Sequence, residues 1–273
     1  MKQFILGKEP DKGIVRLEGA DYHYLVKVRR LAAGERFPAL LPNGEETLIQ
    51  IISIDKNILT GKCITDTTII SSSSSAPPRL CERSFSSPKI PPIILFQALP
   101  KGEKMDLIVR QAAEGGITEI VPFVSEFSVA KTGRGGQKFS RWERIIKEAR
   151  QQSGSKIATA IREPLTISGL FDYWKTVNMP ALGLLFHHQG LENESLHSYL
   201  NNNPKVVVLA VGPEGGFSDR ETGLFLGNGF KPITIGDTIL RTETAALYFS
   251  AAVRILLLEG DSWQLKTPNS DNV

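Results

Sequence analysis

The chain has 273 residues, enough for one large or two modest domains with a buried core. Its net charge of +3 is compatible with a polyanionic partner but equally typical of a slightly basic cytosolic protein. The two cysteines lack the spacing of zinc ligands, which argues against a metal site or a disulfide framework. Because we find no signal-peptide core and no run near the roughly eighteen apolar residues of a membrane span, we expect a cytoplasmic protein without membrane contact.

The N-terminal part is predicted to be mostly β. Short apolar runs are separated by the turn signals Pro42-Asn43-Gly44 and Asp55-Lys56-Asn57. Strands joined by such tight turns suggest a small barrel or sandwich. The strands are predicted at residues 36–41, 47–54 and 58–64.

A helix is predicted before these strands. Asp21 is its predicted N-cap and Gly34 its predicted end. This span places Leu25, Val28 and Leu31 roughly on one side of the helix.

Basic and aromatic side chains are interleaved in the same region. Cations beside stackable rings suit RNA, although such a face is often merely solvated. A Gly-rich basic segment at 131–138 either contacts RNA or is a solvated connection. The predicted RNA-binding residues are Tyr22, His23, Lys27, Arg29, Arg30 and Arg134.

A segment rich in Ser and Pro, residues 65–92, divides the chain because it can bury little apolar surface. We therefore predict an N-terminal domain at 1–70, a linker at 71–92 and a second domain at 93–273.

The C-terminal part alternates strands with helices, which predicts an α/β domain with a mostly parallel sheet. Ser140 with Glu143, and Ser218 with Glu221, predict capping boxes, and Thr242 predicts the cap of a final helix. Strands are predicted at 92–99, 117–123, 181–186, 205–211 and 231–235, and helices at 101–116, 141–154, 219–227 and 243–259.

The stretch Gly-Pro-Glu-Gly-Gly at 212–216 directly follows a predicted strand, where α/β sheets bind ligands. A tight strand-to-helix turn explains it equally well from local chemistry. The usual nucleotide-binding signatures are absent, and Glu214 would repel a phosphate. Glu214 instead favours a ligand with positive charge or hydrogen-bond donors, and S-adenosylmethionine (SAM) fits that requirement.

A second stretch, "IGDTILRTETAA" at 235–246, also follows a predicted strand. Arg241 lies at a helix start, where the helix dipole disfavours a cation. It is therefore either a surface residue or the partner of an anion. Two sheet-end loops that carry Glu214 and Arg241 favour a functional role.

The strings "GPEGGFSDRE" at 212–221 and "LRTETAA" at 240–246 resemble the RsmE family of 16S rRNA uridine-N3 methyltransferases, within the SPOUT superfamily. Segments 21–37, 101–123 and 141–154 are similar to the family as well. The resemblance implies a PUA-like RNA-binding β-barrel followed by a SPOUT-type parallel sheet with a C-terminal deep trefoil knot. It also implies SAM as cofactor, 16S rRNA or the small ribosomal subunit as partner, and a homodimer.

In SPOUT enzymes the cofactor lies among three knot loops. By matching position, the predicted cofactor-binding residues are Leu185, Phe186, Gly212, Pro213, Glu214, Gly215, Gly216, Ile235, Gly236, Leu240, Arg241, Thr242, Glu243 and Thr244, without a metal. Arg241 and Glu214 are the predicted catalytic residues. Arg241 is expected to stabilise the negative charge that develops on the uracil, or to anchor the target's phosphate or the cofactor carboxylate. Glu214 is expected to orient the cofactor or to accept a proton.

One departure from the family stands in the first of these loops. His187-His188-Gln189 occupies the position where the family usually has an acidic residue. Two rival interpretations remain open: a non-catalytic RNA-binding protein that uses the same fold as scaffold, and a phosphate- or nucleotide-binding α/β enzyme.

The final predicted helix is nearly apolar all round. From 245 to 258 only Ser250 and Arg254 interrupt the apolar run. A helix on the outside of a monomer shows a wide polar stripe, so its outer face needs a cover. Either other parts of the chain or a second copy cover it, and we predict a homodimer.

Overall fold

The computed structural model describes residues 4–64, 90–128, 135–177, 179–187, 195–234 and 238–259. The chain forms two compact units, Met1–Ser84 with Arg150–Ala158, and Phe85–Ala149 with Thr159–Val273. Most of the predicted linker, Arg134, His188, Gln189, Ile235 and Gly236 lie outside the described residues.

The first unit is built on a five-stranded sheet in the order β1-β3-β4-β5-β2. The three predicted strands are confirmed as β3 to β5, which pair antiparallel. Lys56 and Asn57 both have positive φ, 43° and 69°, as the tight turn between β4 and β5 requires. The strands are β1 (Phe4–Ile5), β2 (Ile14–Leu17), β3 (Arg36–Leu40), β4 (Glu46–Asp55) and β5 (Ile58–Ile64).

The predicted helix of this unit is wrong at both ends. It starts as α1 (Gly19–Tyr22), so Asp21 lies inside it, and continues as a π-helix (His23–Val28) that ends long before Gly34. The π-type bond from Arg29 N–H to the Tyr24 carbonyl, 2.9 Å, changes the residue spacing per turn. Leu25 is fully buried while Val28 is 59% exposed, so the predicted common face does not form.

The second unit contains a parallel sheet in the order β12-β10-β11-β6-β7-β8, with β9 also paired to β7. This confirms the predicted α/β class with a parallel sheet. The strands are β6 (Ile93–Ala98), β7 (Glu119–Val124), β8 (Ala160–Ile161), β9 (Leu165–Thr166), β10 (Ala181–Phe186), β11 (Val206–Val211) and β12 (Lys231–Ile233).

Helices cover both faces of this sheet. Val207 and Leu209 of β11 pack in a core with residues of four helices, while Val208 and Ala210 point into a second core on the opposite face. Burial on both faces explains the continuous apolar runs of the strands. The helices are α2 (Lys104–Gly115), α3 (Gly135–Ser153), α4 (Ile167–Thr176), α5 (Leu196–Leu200), α6 (Asp219–Gly227) and α7 (Thr242–Glu259).

The three caps predicted in the second unit have different outcomes. The capping box of Ser218 and Glu221 is confirmed at the start of α6. The box at Ser140 is wrong because α3 begins at Gly135, and the packing of Phe139 against the core favours the longer helix. Thr242 is the first residue of α7 rather than its cap, and its hydroxyl donates to the Gly212 carbonyl.

Within the described ranges, no helix is both long and apolar enough to cross a membrane. In the same part of the chain, no group of three or more His, Cys, Asp or Glu side chains could hold a metal ion. The trefoil knot stays a prediction, because residues 188–194 and 235–237, which follow β10 and β12, lie outside the described part.

Candidate active site

The carboxyl ends of the parallel strands meet at one edge of the sheet, where such folds bind ligands. A cavity of about 220 Å³ lies there, at the ends of β10, β11 and β12. It is lined by residues 186–187, 211–217, 234, 238–240, 242 and 245. The two loops singled out in the sequence therefore contribute to a single cavity.

The loop after β11 folds back tightly on itself. Gly216 N–H donates to the Pro213 carbonyl at 3.0 Å, and Gly216 has a φ of +71°, which residues with side chains rarely adopt. A Cβ at Gly212 would lie 3.2 Å from the Gly216 backbone. Glycine at these positions thus lets the bare backbone form the cavity wall.

A buried chain of hydrogen bonds fixes this loop. The Gln97 side-chain amide donates to Thr242 Oγ1 at 3.1 Å, and the Thr242 hydroxyl donates to the Gly212 carbonyl at 2.6 Å. Gln97 is fully buried and Thr242 is 3% exposed. The end of β6, the loop after β11 and the start of α7 are therefore held together.

Glu214 is held by the start of α2. Its carboxylate accepts from the Lys101 N–H at 3.1 Å and lies 2.9 Å from Lys104 Nζ, which is also 3.4 Å from Glu243 Oε2. Burial raises the pKa of Glu214, but the hydrogen bonds from Lys104 and the backbone outweigh it and lower the pKa overall. The bond to Glu214 raises the pKa of Lys104. Two carboxylates thus share one ammonium, which leaves a net charge of −1.

A buried carboxylate, Glu221, anchors the loop that follows β7. Glu221, 1% exposed, accepts from Ser125 Oγ and from the Glu126 N–H, both at 3.0 Å. Ser128 Oγ donates to the Leu99 carbonyl at 2.9 Å. The loop at 125–128 is therefore fixed beside the site.

Most predicted cofactor residues meet at the cavity. Leu185 does not: it is fully buried in the core on the other face of the sheet. Arg241 is exposed and lies outside the lining, while Glu243 reaches Lys104 and Thr244 is partly buried. The predicted residues that line the cavity are Phe186, Gly212, Pro213, Glu214, Gly215, Gly216, Leu240 and Thr242.

Sequence reasoning missed several residues of the site. Gln97 is a polar side chain in an otherwise apolar strand, and that signal could have found it. Lys104 gave no signal, because its partner Glu214 is distant in the sequence. His187, noted only as a departure from the family, lines the cavity, as do Val211, Phe217, Thr234, Thr238, Ile239 and Ala245.

In the first unit, the predicted RNA-binding residues differ in exposure. His23, Lys27 and Arg30 are exposed and Arg29 is partly buried. Tyr22 is only 9% exposed and packs in the core of this unit, so its ring is not available for stacking.

The cavity is chemically suited to SAM. Phe186, Val211 and Leu240 supply apolar surface for an adenine ring, and the glycine loop supplies backbone groups for hydrogen bonds. The net negative charge at Glu214, Lys104 and Glu243 suits the positively charged sulfur.

Comparison with known proteins agrees with this fold and site. A family described as RNA methyltransferase domain matches residues 87–254, and one described as RNA methyltransferase PUA domain matches residues 17–62. Ribosomal RNA small subunit methyltransferase E from Synechocystis is 31% identical, over 89% of this chain and 73% of its own. Ribosomal RNA small subunit methyltransferase E 2 from Borreliella burgdorferi is 30% identical, over 94% of this chain and 98% of its own.

A solved structure is similar over nearly the whole chain. A Legionella pneumophila protein in complex with the bound cofactor SAM has a TM-score of 0.72 and 25% identity, covering 93% of this chain and 97% of its own. The fold and the cavity define an RNA methyltransferase with a PUA domain. The chain belongs to the ribosomal RNA small subunit methyltransferase E family.

Proposed function

We propose that this protein uses SAM to methylate N3 of a uridine in the 16S rRNA of the small ribosomal subunit. The observation that carries the proposal is the cavity at the ends of β10, β11 and β12, walled by the glycine loop at 212–216. Membership of the methyltransferase E family supports the same reaction.

When bound, SAM supplies a methyl group on a positively charged sulfur, which N3 of uracil can attack in line. The chain itself acts chiefly by positioning. Phe186 and Leu240 would offer apolar surface to the adenine, while the backbone of the loop at 212–216 would hold polar groups of the ligand. Thr242 keeps this loop in place through the Gly212 carbonyl.

Of the two roles considered for Glu214, the structure favours orientation of the cofactor. Its lowered pKa makes it a weak base at neutral pH, and its oxygens already accept from Lys101 and Lys104. We therefore propose that solvent accepts the proton that leaves N3. The net negative charge beside Glu214 attracts the cationic end of the ligand.

We propose that Arg241 stabilises the negative charge that develops on the target base. It is exposed and lies between Leu240 and Thr242, two residues of the cavity lining. A guanidinium there can reach a uracil oxygen as the N3 proton leaves. Stabilising charge that develops in the transition state is often the largest single contribution to catalysis.

RNA binding is assigned to the first unit. His23, Lys27 and Arg30 present cations and a ring to solvent, as an RNA-binding surface requires. Arg29 of the same unit and Arg134 of the second unit are proposed as additional contacts. We also propose a cytoplasmic location, in keeping with the rRNA or small subunit proposed as substrate.

The outer face of α7 is proposed to bind a second copy of the chain. Apolar side chains along it remain exposed next to a groove between α2 and α7. A second copy is the occupant because the SPOUT enzymes that this sequence resembles are generally dimers. The exposed side chains are Leu247 at 40%, Tyr248 at 55%, Ile255 at 46% and Leu258 at 43%.

The test is methyl transfer to small subunits from cells that lack the gene, with labelled SAM and mass spectrometry of the rRNA nucleosides. We expect one additional N3-methyluridine after incubation with the protein. RNA binding without methyl transfer would favour the non-catalytic RNA-binding protein. Competition by ATP rather than S-adenosylhomocysteine would favour the nucleotide-binding enzyme.

A further inference from the structure

An exposed aromatic ring lies against the wall of the cofactor cavity. Phe127 is 51% exposed, although it follows the buried strand β7. It touches Gly215, which lines the cavity: a Cβ at Gly215 would lie 3.1 Å from Phe127 Cβ. Phe127 is not part of the cavity lining itself, so its ring lies beside the loop that forms the wall and is reachable from solvent.

The segment that carries this ring is firmly held. The residues before and after Phe127 are tied to buried acceptors, because Ser125 and Glu126 donate to Glu221 and Ser128 donates to the Leu99 carbonyl. Phe127 thus keeps a defined position without burying its own ring. A fixed ring at a cavity margin offers a preorganised apolar surface to a ligand.

The other aromatic rings near the cavity already pack against neighbouring side chains. Phe186 lines the cavity but packs on Phe249, with ring centroids 5.4 Å apart. Phe217 also lines the cavity, but it is 8% exposed and stacks on Phe123, with ring centroids 6.3 Å apart. Ile239, 82% exposed, adds an aliphatic side chain to the cavity lining.

We propose that Phe127 is the platform on which the target base stacks while its N3 edge faces the cofactor cavity. This inference rests on the proposed function. A base must leave its stack before an enzyme can modify it, and aromatic side chains recover the lost stacking. Stacking also fixes the plane of the base while leaving its edge free to react.

The test compares Phe127→Ala, Phe127→Leu, Phe127→Tyr and Phe127→Trp on small subunits from cells that lack the gene. The two aliphatic variants should lower kcat/KM about ten- to a hundredfold, whereas the two aromatic variants should stay within about threefold of wild type. All four should bind SAM with wild-type affinity in calorimetry. Met179→Ala is the matched control with unchanged activity, because Met179 is 61% exposed and lies two residues before β10, at the opposite edge of the sheet.

Three results would overturn the inference. Full activity of Phe127→Leu would make the ring an apolar spacer, and a loss of SAM affinity equal to the loss of activity would make it a support of the cofactor loop. Wild-type protein without activity on small subunits would instead overturn the proposed function, and this inference with it. If Phe127→Ala fails to fold, the difference in kcat/KM between Phe127→Leu and Phe127→Trp still tests the inference.

Discussion

The hydroxyl of Thr242 donates a 2.6 Å hydrogen bond to the carbonyl oxygen of Gly212. The same oxygen of Thr242 accepts from the Gln97 amide at 3.1 Å. Because both side chains are buried, removal of this one hydroxyl deprives two polar groups of a partner.

Thr242→Val should therefore lower the free energy of unfolding by about 1–3 kcal/mol, since it leaves buried polar groups unsatisfied. It should also weaken SAM binding, because the loop at 212–216 loses its attachment to α7. Urea unfolding and calorimetry measure the two effects. Thr242→Ser retains the hydroxyl and is the control; equal behaviour of the two variants would contradict the role of the hydrogen bond.

Two substitutions at Gly216 distinguish backbone strain from filling of the cofactor cavity. Gly216→Ala should cost about 1–2 kcal/mol of stability because the φ of Gly216 is +71°. Gly216→Arg should in addition fill the cavity and abolish SAM binding in calorimetry while circular dichroism still reports a folded protein. Unchanged affinity of the arginine variant would remove this loop from the cofactor site.

Glu214→Gln should change how stability depends on pH. The pKa of Glu214 is lowered, so its stabilising contribution is present above about pH 4.5 and disappears as the pH falls through the folded-state pKa. The pKa of Lys104 is raised, so its contribution is lost only in the alkaline range, above about pH 10.5. Between these limits wild type should exceed the variant by at most about 1 kcal/mol, because both side chains are partly exposed.

Urea unfolding of wild type and Glu214→Gln from acidic to neutral pH checks this. Their stabilities should converge as the solution becomes acidic. Glu163→Gln removes an exposed carboxylate and serves as the control. A constant difference between wild type and Glu214→Gln across the range would contradict the ion pair.

Arg241→Ala should lower the rate of methyl transfer by at least about a hundredfold if Arg241 stabilises charge in the transition state. Stability should change little, because the side chain is exposed. Single-turnover kinetics with labelled SAM measures the rate, and Arg241→Lys, which keeps the charge, should retain part of it. A near-normal rate of the alanine variant would leave Arg241 without a catalytic role.

Ile255→Glu should dissociate the proposed dimer, because it places a charge on the apolar face of α7, where Ile255 is 46% exposed. Sedimentation velocity should report a monomer. Leu226→Glu, at a 39% exposed position of α6, is the matched control and should remain dimeric. A fully active wild-type monomer at assay concentration would end the dimer proposal.

Local patterns predicted the sheet and much of the cavity. Alternation of apolar runs with helices indicated the parallel sheet, and Ser218 with Glu221 marked the start of α6, because these signals act within a few residues. The cap expected at Ser140 did not form, since packing of Phe139 favours an earlier start of α3. Tertiary contacts overrode a local preference there.

Long-range partners could not be predicted in the same way. Glu214 is paired with Lys104, and Glu221 with Ser125, across large sequence separations that no periodic pattern reports. The π-helix before Arg29 also escaped prediction, because its hydrogen-bond spacing leaves no distinct composition. The electrostatics of the site thus depend on contacts that only the folded chain creates.

The bond between Gln97 and Thr242 joins residues 145 positions apart. Contacts of such high contact order form slowly, because a long loop must close before they are made. The Gly212 carbonyl lacks its Thr242 partner until α7 docks. Competence for SAM should therefore appear as a late kinetic phase of refolding, after the sheet has already acquired its secondary structure.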